Sequence, residues 1–190
     1  MCAEPAYVQP MPPPAPLTAE QLAHLDTPNK RTELVCGVLV VREPAGYTHG
    51  RVAMNVAVKL GVHVERTQAG QLFAAETGFT LARQPDTVPA PDVAFVRRER
   101  LLDPATRGCP DLAPDLVVEV LSPDDRPGEV LAKVADWLSA GCPLVWVIDP
   151  ERRSAQVYRA DGSVAVLEAD AALNGDDVLP GFTCPLAAIL

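Results

Sequence analysis

The sequence predicts one α/β domain, in which helices flank a mixed β-sheet core, with an additional N-terminal β-hairpin and C-terminal antiparallel strands. Short apolar segments alternate with amphipathic helical segments along most of the 190 residues. A strand–helix–strand order over 116–148 predicts a right-handed crossover between parallel neighbouring strands. The hydrophobic fraction is 48% with only 5% aromatic residues, which suits a soluble α/β protein.

The chain starts with a segment that is poor in residues able to pack. Residues 1–16 carry six prolines, which predicts an extended or disordered tail ahead of a single domain over 17–190. Thr18 followed by Gln21 has the pattern of a capping box. We therefore expect a short helix from this point to about Asp26.

The remaining elements follow from hydrophobic periodicity and turn residues. Segment 31–43 has two apolar runs separated by a Cys-Gly pair, which predicts a β-hairpin. Apolar residues four positions apart predict an amphipathic helix over 48–67. Further strands are predicted at 72–75, 78–82, 91–96, 116–121, 144–148, 154–158 and 164–167, and a further helix at 128–140.

Charge and composition limit the classes of function. The formal net charge of −9 argues against a protein that coats nucleic acid by overall attraction, so any DNA contact would use local basic patches. The five cysteines are scattered and lack the close pairs of a zinc site. No apolar run approaches the ~18 residues of a membrane span, and no secretory signal is visible. We expect a cytoplasmic protein without membrane contact.

The most informative segment is 114–123, P-D-L-V-V-E-V-L-S-P, an apolar strand with Glu119 at its middle. A strand of this kind is usually buried on both faces of a sheet. Ionising a carboxylate there is costly unless a cation or several hydrogen bonds stabilise its charge. Glu119 therefore requires a specific partner, either a metal ion or a basic side chain such as arginine.

Asp92 is the second candidate acid. It begins the predicted strand that precedes the Glu119 strand, and consecutive strands are often neighbours, so the two carboxylates could meet at one sheet edge. Two carboxylates with a backbone carbonyl such as that of Val120 would suit Mg²⁺, which keeps several waters. The alternative is structural, because Asp after Pro at a strand start is often a turn or cap residue.

Lys133 is the candidate cation. On the predicted helix it lies about 40° beyond Trp137, at the border of the buried stripe. Its long stem could cover apolar surface while the ammonium group reaches inward along the sheet. The alternative is the ordinary one for a helical lysine, a side chain that faces solvent.

Three segments carry a family resemblance: P-D-V-A-F-V, P-D-L-V-V-E-V-L-S-P and K-V-A-D-W-L-S-A-G-C-P-L-V-W-V-I-D-P. They resemble the bacterial Uma-type family of "putative restriction endonucleases", which is placed in the PD-(D/E)XK nuclease superfamily. The resemblance implies a restriction-endonuclease-like core in which Asp92 and Glu119 bind the metal. Leu121 stands where many such nucleases have their lysine, and Lys133 matches the helix position to which this family relocates it. Glu33 would be an auxiliary acid.

The resulting prediction is metal-dependent hydrolysis of phosphodiester bonds in DNA. Mg²⁺, or Mn²⁺ in its place, would activate a bound water, and Lys133 would stabilise the phosphate. A hydrolase of another phosphoester is one alternative. The other is a catalytically degenerate module on a nuclease fold that binds DNA or a protein partner, since a fold does not secure chemistry.

Supporting residues are less specific. His49 could support the metal ligands or contact phosphate, and the alternative is a structural histidine at a helix start. Arg97, Arg98 and Arg100 could hold phosphates, or form a solvated charge cluster. An enzyme that cuts both DNA strands would be most simply arranged as a symmetric homodimer.

Overall fold

The computed structural model describes residues 15–28 and 30–190. It contains three α-helices, ten β-strands and two short 3₁₀ segments within these residues. The helices are α1 (Ala19–Leu22), α2 (Tyr47–Thr67) and α3 (Pro127–Ser139). The strands are β1 (Arg31–Val35), β2 (Val38–Arg42), β3 (Gly70–Ala74), β4 (Val93–Arg97), β5 (Leu116–Val120), β6 (Leu144–Asp149), β7 (Ser154–Arg159), β8 (Val164–Leu167), β9 (Ala172–Asn174) and β10 (Thr183–Pro185). The 3₁₀ segments are Arg98–Arg100 and Leu186–Ala188.

A six-stranded sheet forms the centre of the fold, in the order β3-β4-β5-β6-β7-β8. Only β5 and β6 pair in parallel, and α3 connects them, as the strand–helix–strand pattern predicted. The other neighbours are antiparallel. The mixed sheet, the N-terminal hairpin and the C-terminal antiparallel strands confirm the predicted fold class.

The sheet has an apolar core on each face. On one face, α2 and the β9–β10 pair pack against a layer that includes Leu116, Val118 and Val120 of β5. On the other face, α3 contributes Trp137 to a layer with Val117. Because side chains alternate along a strand, Glu119 points to the same face as Val117, toward α3. All five residues of β5 are buried, as expected for this central strand.

The N-terminal hairpin of β1 and β2 is separate from the central sheet. Its turn residues Cys36 and Gly37 both have positive φ, 49° and 75°, which matches the twist of a two-residue hairpin. A Cβ at Gly37 would come within 2.4 Å of the Cβ of Pro16, so this position requires glycine for space as well as for conformation. The Thr18–Gln21 capping box is present, but α1 is shorter than predicted and ends at Leu22.

The predicted strand at 78–82 is wrong. Its backbone bonds to separate segments: the amide of Phe79 donates to the Pro89 carbonyl, that of Thr80 donates to the Pro110 carbonyl, and Leu81 and Ala82 form only an isolated bridge with Thr87. Proline has no N–H, so neither Pro89 nor Pro110 can return a bond and extend a ladder. The predicted tail lies almost wholly in residues 1–14, outside the described part of the chain. Among the described residues, no helix has the length and apolar character needed to cross a membrane.

Candidate active site

Four elements bring their ionisable side chains to one cavity of about 640 Å³. Glu33 comes from β1, Asp92 from the residue just before β4, Glu119 from β5 and Lys133 from α3. All three acids are buried. The structure therefore assembles, from positions far apart in the sequence, the two carboxylates and the lysine that the sequence singled out, together with the predicted auxiliary acid.

Glu119 is held from the α3 side by two donors. Lys133 Nζ donates to its Oε2 over 3.1 Å, and Trp137 Nε1 donates to its Oε1 over 3.0 Å. Burial raises the pKa of Glu119 to about 7, and the nearby charges of Asp92 and Glu33 add to the effect of burial, while Lys133 opposes them. At neutral pH the carboxyl group is therefore near the midpoint between its protonated and ionised forms.

Lys133 lies between two carboxylates. Besides Glu119, its Nζ donates to Glu33 Oε1 over 2.9 Å and to the Ala90 carbonyl over 3.3 Å. The Ala90 amide in turn donates to Glu33 Oε1 over 2.9 Å. Burial alone would lower the pKa of Lys133, but the charges of Glu119 and Glu33 outweigh it and raise that pKa. The ammonium group is therefore fixed in its charged form and in position.

Asp92 is bound by three donors of its own. Arg31 Nη2 donates to Oδ1 over 3.0 Å, while His49 Nε2 and the Val120 amide donate to Oδ2 over 3.0 and 2.8 Å. Burial alone would raise the pKa of Asp92, but these hydrogen bonds and the charges of His49 and Arg31 lower it below its usual range. Asp92 is consequently ionised at neutral pH, and its bond to Val120 fixes it beside the Glu119 strand.

A lone-pair count identifies the carboxylate oxygens of the two acids that keep an acceptor site within the described contacts. Each ionised carboxylate oxygen has two lone pairs. Asp92 Oδ2 uses both, whereas Asp92 Oδ1 and the two oxygens of Glu119 each receive one donor from the described residues. Within residues 15–28 and 30–190, no three His, Cys, Asp or Glu side chains could hold a metal by themselves. An ion bound here would complete its shell with backbone oxygen and water, as Mg²⁺ commonly does.

The charge of the cavity also favours a cation. Eight carboxylate side chains line it, against three lysine or arginine side chains and the imidazole of His49. At its centre, the carboxylates of Glu33, Asp92 and Glu119 are each paired with a lysine, an arginine or the imidazole of His49, so the negative excess belongs to the cavity lining as a whole. A cavity lined by more acidic than basic side chains attracts cations, and it repels a phosphate group until that charge is neutralised.

The three arginines predicted as phosphate contacts lie elsewhere. Arg97 ends β4, about 16 Å along the strand from Asp92, and Arg98 and Arg100 lie in the 3₁₀ segment that follows. Arg97 donates to the Asp177 backbone carbonyl, and Arg100 donates to the Asp115 carboxylate. None of the three arginines lines the cavity. The structure thus separates these arginines from the acids.

Two residues that contact the acids were not singled out as site residues from the sequence. Arg31 binds Asp92, and a signal existed, because Arg31 and Glu33 alternate on one strand and so share a face. Trp137 was predicted to be a core residue, and it is fully buried. However, a buried indole N–H requires an acceptor, and Glu119 is the one charged residue of the strand that faces it.

The fold is that of a nuclease-like α/β protein. The crystal structure of "a putative nuclease belonging to DUF820" from Anabaena variabilis matches this chain with a TM-score of 0.77 and 22% sequence identity. The match covers 92% of this chain and 97% of that one. The model of the Uma2 family, described as "Putative restriction endonuclease", matches residues 18–187, and the chain belongs to that family. No match was found among the curated proteins.

Proposed function

We propose that this protein is a metal-dependent endonuclease that hydrolyses phosphodiester bonds in DNA, with Mg²⁺ as its ion and Mn²⁺ as a substitute. The observation that carries the proposal is the position of Lys133 Nζ, within 3.1 Å of Glu119, in the cavity that Asp92 also lines. Carboxylates with an adjacent ammonium group, all facing one cavity, suit the hydrolysis of a charged ester. Family membership supports the nuclease class.

Asp92 and Glu119 would hold the ion through the oxygens that keep a lone pair, with the Val120 carbonyl as a third ligand. When bound, the ion supplies an acidified water and neutralises charge on the phosphate. It also explains how DNA could approach a cavity with so many acidic side chains, because its charge would offset part of theirs. Metal binding would therefore precede substrate binding.

Side chains of the protein would stabilise the phosphate and orient the metal ligands. Lys133 would stabilise negative charge on the phosphate or hold the attacking water, and its ammonium group is already fixed by Glu33. His49 and Arg31 would orient Asp92, since each donates to one of its oxygens.

One observation favours the alternative of a non-catalytic module. Asp92 already has a guanidinium group and an imidazole as partners, so its charge is largely compensated without a metal. A degenerate nuclease fold would keep such a cluster for stability alone. The two functions differ in one measurable property, which is saturable binding of a divalent ion that requires the two acids.

Plasmid cleavage tests the enzymatic proposal. Purified protein is incubated with supercoiled and linear DNA in Mg²⁺, in Mn²⁺ and in EDTA, as wild type and as Asp92→Asn, Glu119→Gln and Lys133→Met. We expect cleavage with either metal and none in EDTA. Each substitution should lower the rate by roughly 100-fold or more. Lys59→Met, which removes an exposed lysine from α2, is the matched control and should cleave like the wild type.

Calorimetric titration with Mn²⁺ separates the two functions. Asp92→Asn and Glu119→Gln should lose metal binding, whereas Lys133→Met should keep it. Cleavage that persists in all three variants would show that the site is elsewhere. A protein that neither binds the ion nor cleaves would fit the non-catalytic module instead.

A further inference from the structure

Helix α2 has a second apolar face that no described part of the chain covers. Its buried face carries Val52 and Leu60, which pack on the central sheet. On the opposite side, Met54, Val58 and Val62 are exposed to 62%, 54% and 64%. Single exposed apolar residues are ordinary, but three at four-residue spacing form a continuous stripe along a helix.

Two charged residues frame this stripe. At 100° per residue, Arg51, Met54, Val58, Val62 and Glu65 fall within an arc of about 80° on the helix surface. Arg51 and Glu65 are exposed, and neither makes an ion pair with any residue in the described part of the chain. We call these five residues the α2 stripe.

The α2 stripe is symmetric about its middle residue. Arg51 and Glu65 are each seven residues from Val58, and Met54 and Val62 are each four residues from it. A two-fold axis through Val58 would therefore set Met54 against Val62 and Arg51 against Glu65, twice each. Self-complementarity of this kind is the requirement for an interface between identical subunits.

We propose that the α2 stripe is the surface on which a second copy of this chain docks, with the two α2 helices antiparallel and Val58 on the two-fold axis. The apolar residues form the centre, and two ion pairs between Arg51 and Glu65 fix direction and register. A parallel arrangement would set Arg51 against Arg51, so charge selects the antiparallel one. One helix face is a small interface, and a Kd of roughly 1–100 µM is expected.

This assembly leaves the candidate active site accessible. Tyr47 begins α2 and lines the cavity, and it lies eleven residues from Val58, or about 16 Å along the helix. The two cavities consequently lie near the outer ends of the helix pair. The docking surface is independent of the proposed nuclease function, since it uses none of the residues assigned to that function.

Charge reversal tests the register directly, with analytical ultracentrifugation of the full chain over a range of concentrations. Arg51→Glu and Glu65→Arg should each weaken the dimer at least about tenfold, because each faces like charges across the axis. An equimolar mixture of the two variants should associate with nearly wild-type affinity, since both ion pairs then re-form. Lys59→Glu, a charge reversal on the same helix about 60° outside the α2 stripe, is the control and should remain dimeric.

Val58→Glu provides a second test, because it places two carboxylates together on the axis and should give a monomer. Circular dichroism confirms that each variant is folded. A wild-type chain that stays monomeric at 200 µM would overturn the proposal, whether the stripe is covered by residues 1–14 or by nothing. A dimer that survives Val58→Glu, or a mixture that fails to associate, would overturn it as well.

Discussion

Replacing Glu119 by Gln tests whether the fold holds this carboxyl group in its protonated form up to neutral pH. In the folded protein the pKa of Glu119 is about 7, against the usual value of 4.5. Between these values the folded state binds a proton that the unfolded chain has lost. The free energy of unfolding of the wild type must therefore fall as pH rises through this window. At about 1.4 kcal/mol per pH unit, the loss attributable to Glu119 is at most about 3.5 kcal/mol.

The assay is urea denaturation of the metal-free protein at pH 5, 6, 7 and 8, with the wild type and Glu119→Gln compared at each pH. The variant has no ionisable group at this position, so the difference between the two free energies isolates Glu119 from all other titrating groups. We expect the free energy of unfolding of the wild type to fall relative to that of the variant as pH rises from 5 to 7, and to fall by a smaller amount between pH 7 and 8. A constant offset from the altered contacts with Lys133 does not affect this slope.

A difference between the two free energies of unfolding that does not change with pH would refute the reasoning. It would mean that the charge of Lys133 fully offsets the effect of burial on the pKa of Glu119. If the wild type instead became more stable relative to the variant as pH rises, the refutation would be stronger, since Glu119 would then have a lowered pKa. Repeating the series in saturating Mg²⁺ should flatten the slope, because a bound cation favours the ionised carboxylate.

Two further predictions follow from single contacts of the cluster. Trp137→Phe removes the indole donor to Glu119 and should cost about 1–3 kcal/mol in the free energy of unfolding, measured by urea denaturation. Trp146→Phe is the matched control, because Trp146 is equally buried but its Nε1 has no partner among the described residues. This substitution should therefore cost less free energy of unfolding. Equal losses would contradict a stabilising hydrogen bond between Trp137 and Glu119. Arg31→Met should strengthen Mn²⁺ binding about tenfold by calorimetry, since it frees Asp92 Oδ1 from a competing cation. Unchanged or weaker binding would show that Arg31 does not compete with the metal.

The sequence predicted the centre of the site because a buried charge restricts what can surround it. Glu119 in an apolar strand demanded a cation, and the helical phase of Lys133 put its ammonium group within reach. In the structure Lys133 Nζ donates to Glu119 over 3.1 Å, and Asp92, which the sequence also singled out, lines the same cavity. Period-two and period-3.6 patterns were sufficient to predict the strand and the helix on which Glu119 and Lys133 lie.

Other contacts could not be predicted in this way because they depend on long-range placement. Arg31 meets Asp92 across 61 positions of sequence, and only the docking of the hairpin brings them together. Segment 78–82 has an apolar composition suited to a strand, but its backbone partners lie in separate segments that no local pattern identifies, and two of them are prolines. Local sequence therefore predicted elements and their faces, whereas tertiary placement decided the remaining partners.

The hairpin, although separate from the central sheet, is what completes the charge cluster. Leu34 and Val88 exchange two backbone hydrogen bonds of 3.1 and 2.8 Å, and these tie β1 to the segment that leads into Asp92. From this position the hairpin supplies Glu33 to Lys133 on one side and Arg31 to Asp92 on the other. Without it, Lys133 would lose one of its two carboxylate partners and Asp92 would lose its guanidinium. Undocking of the hairpin would therefore remove one negative and one positive charge together, which leaves the net charge of the cluster unchanged while it loosens both residues.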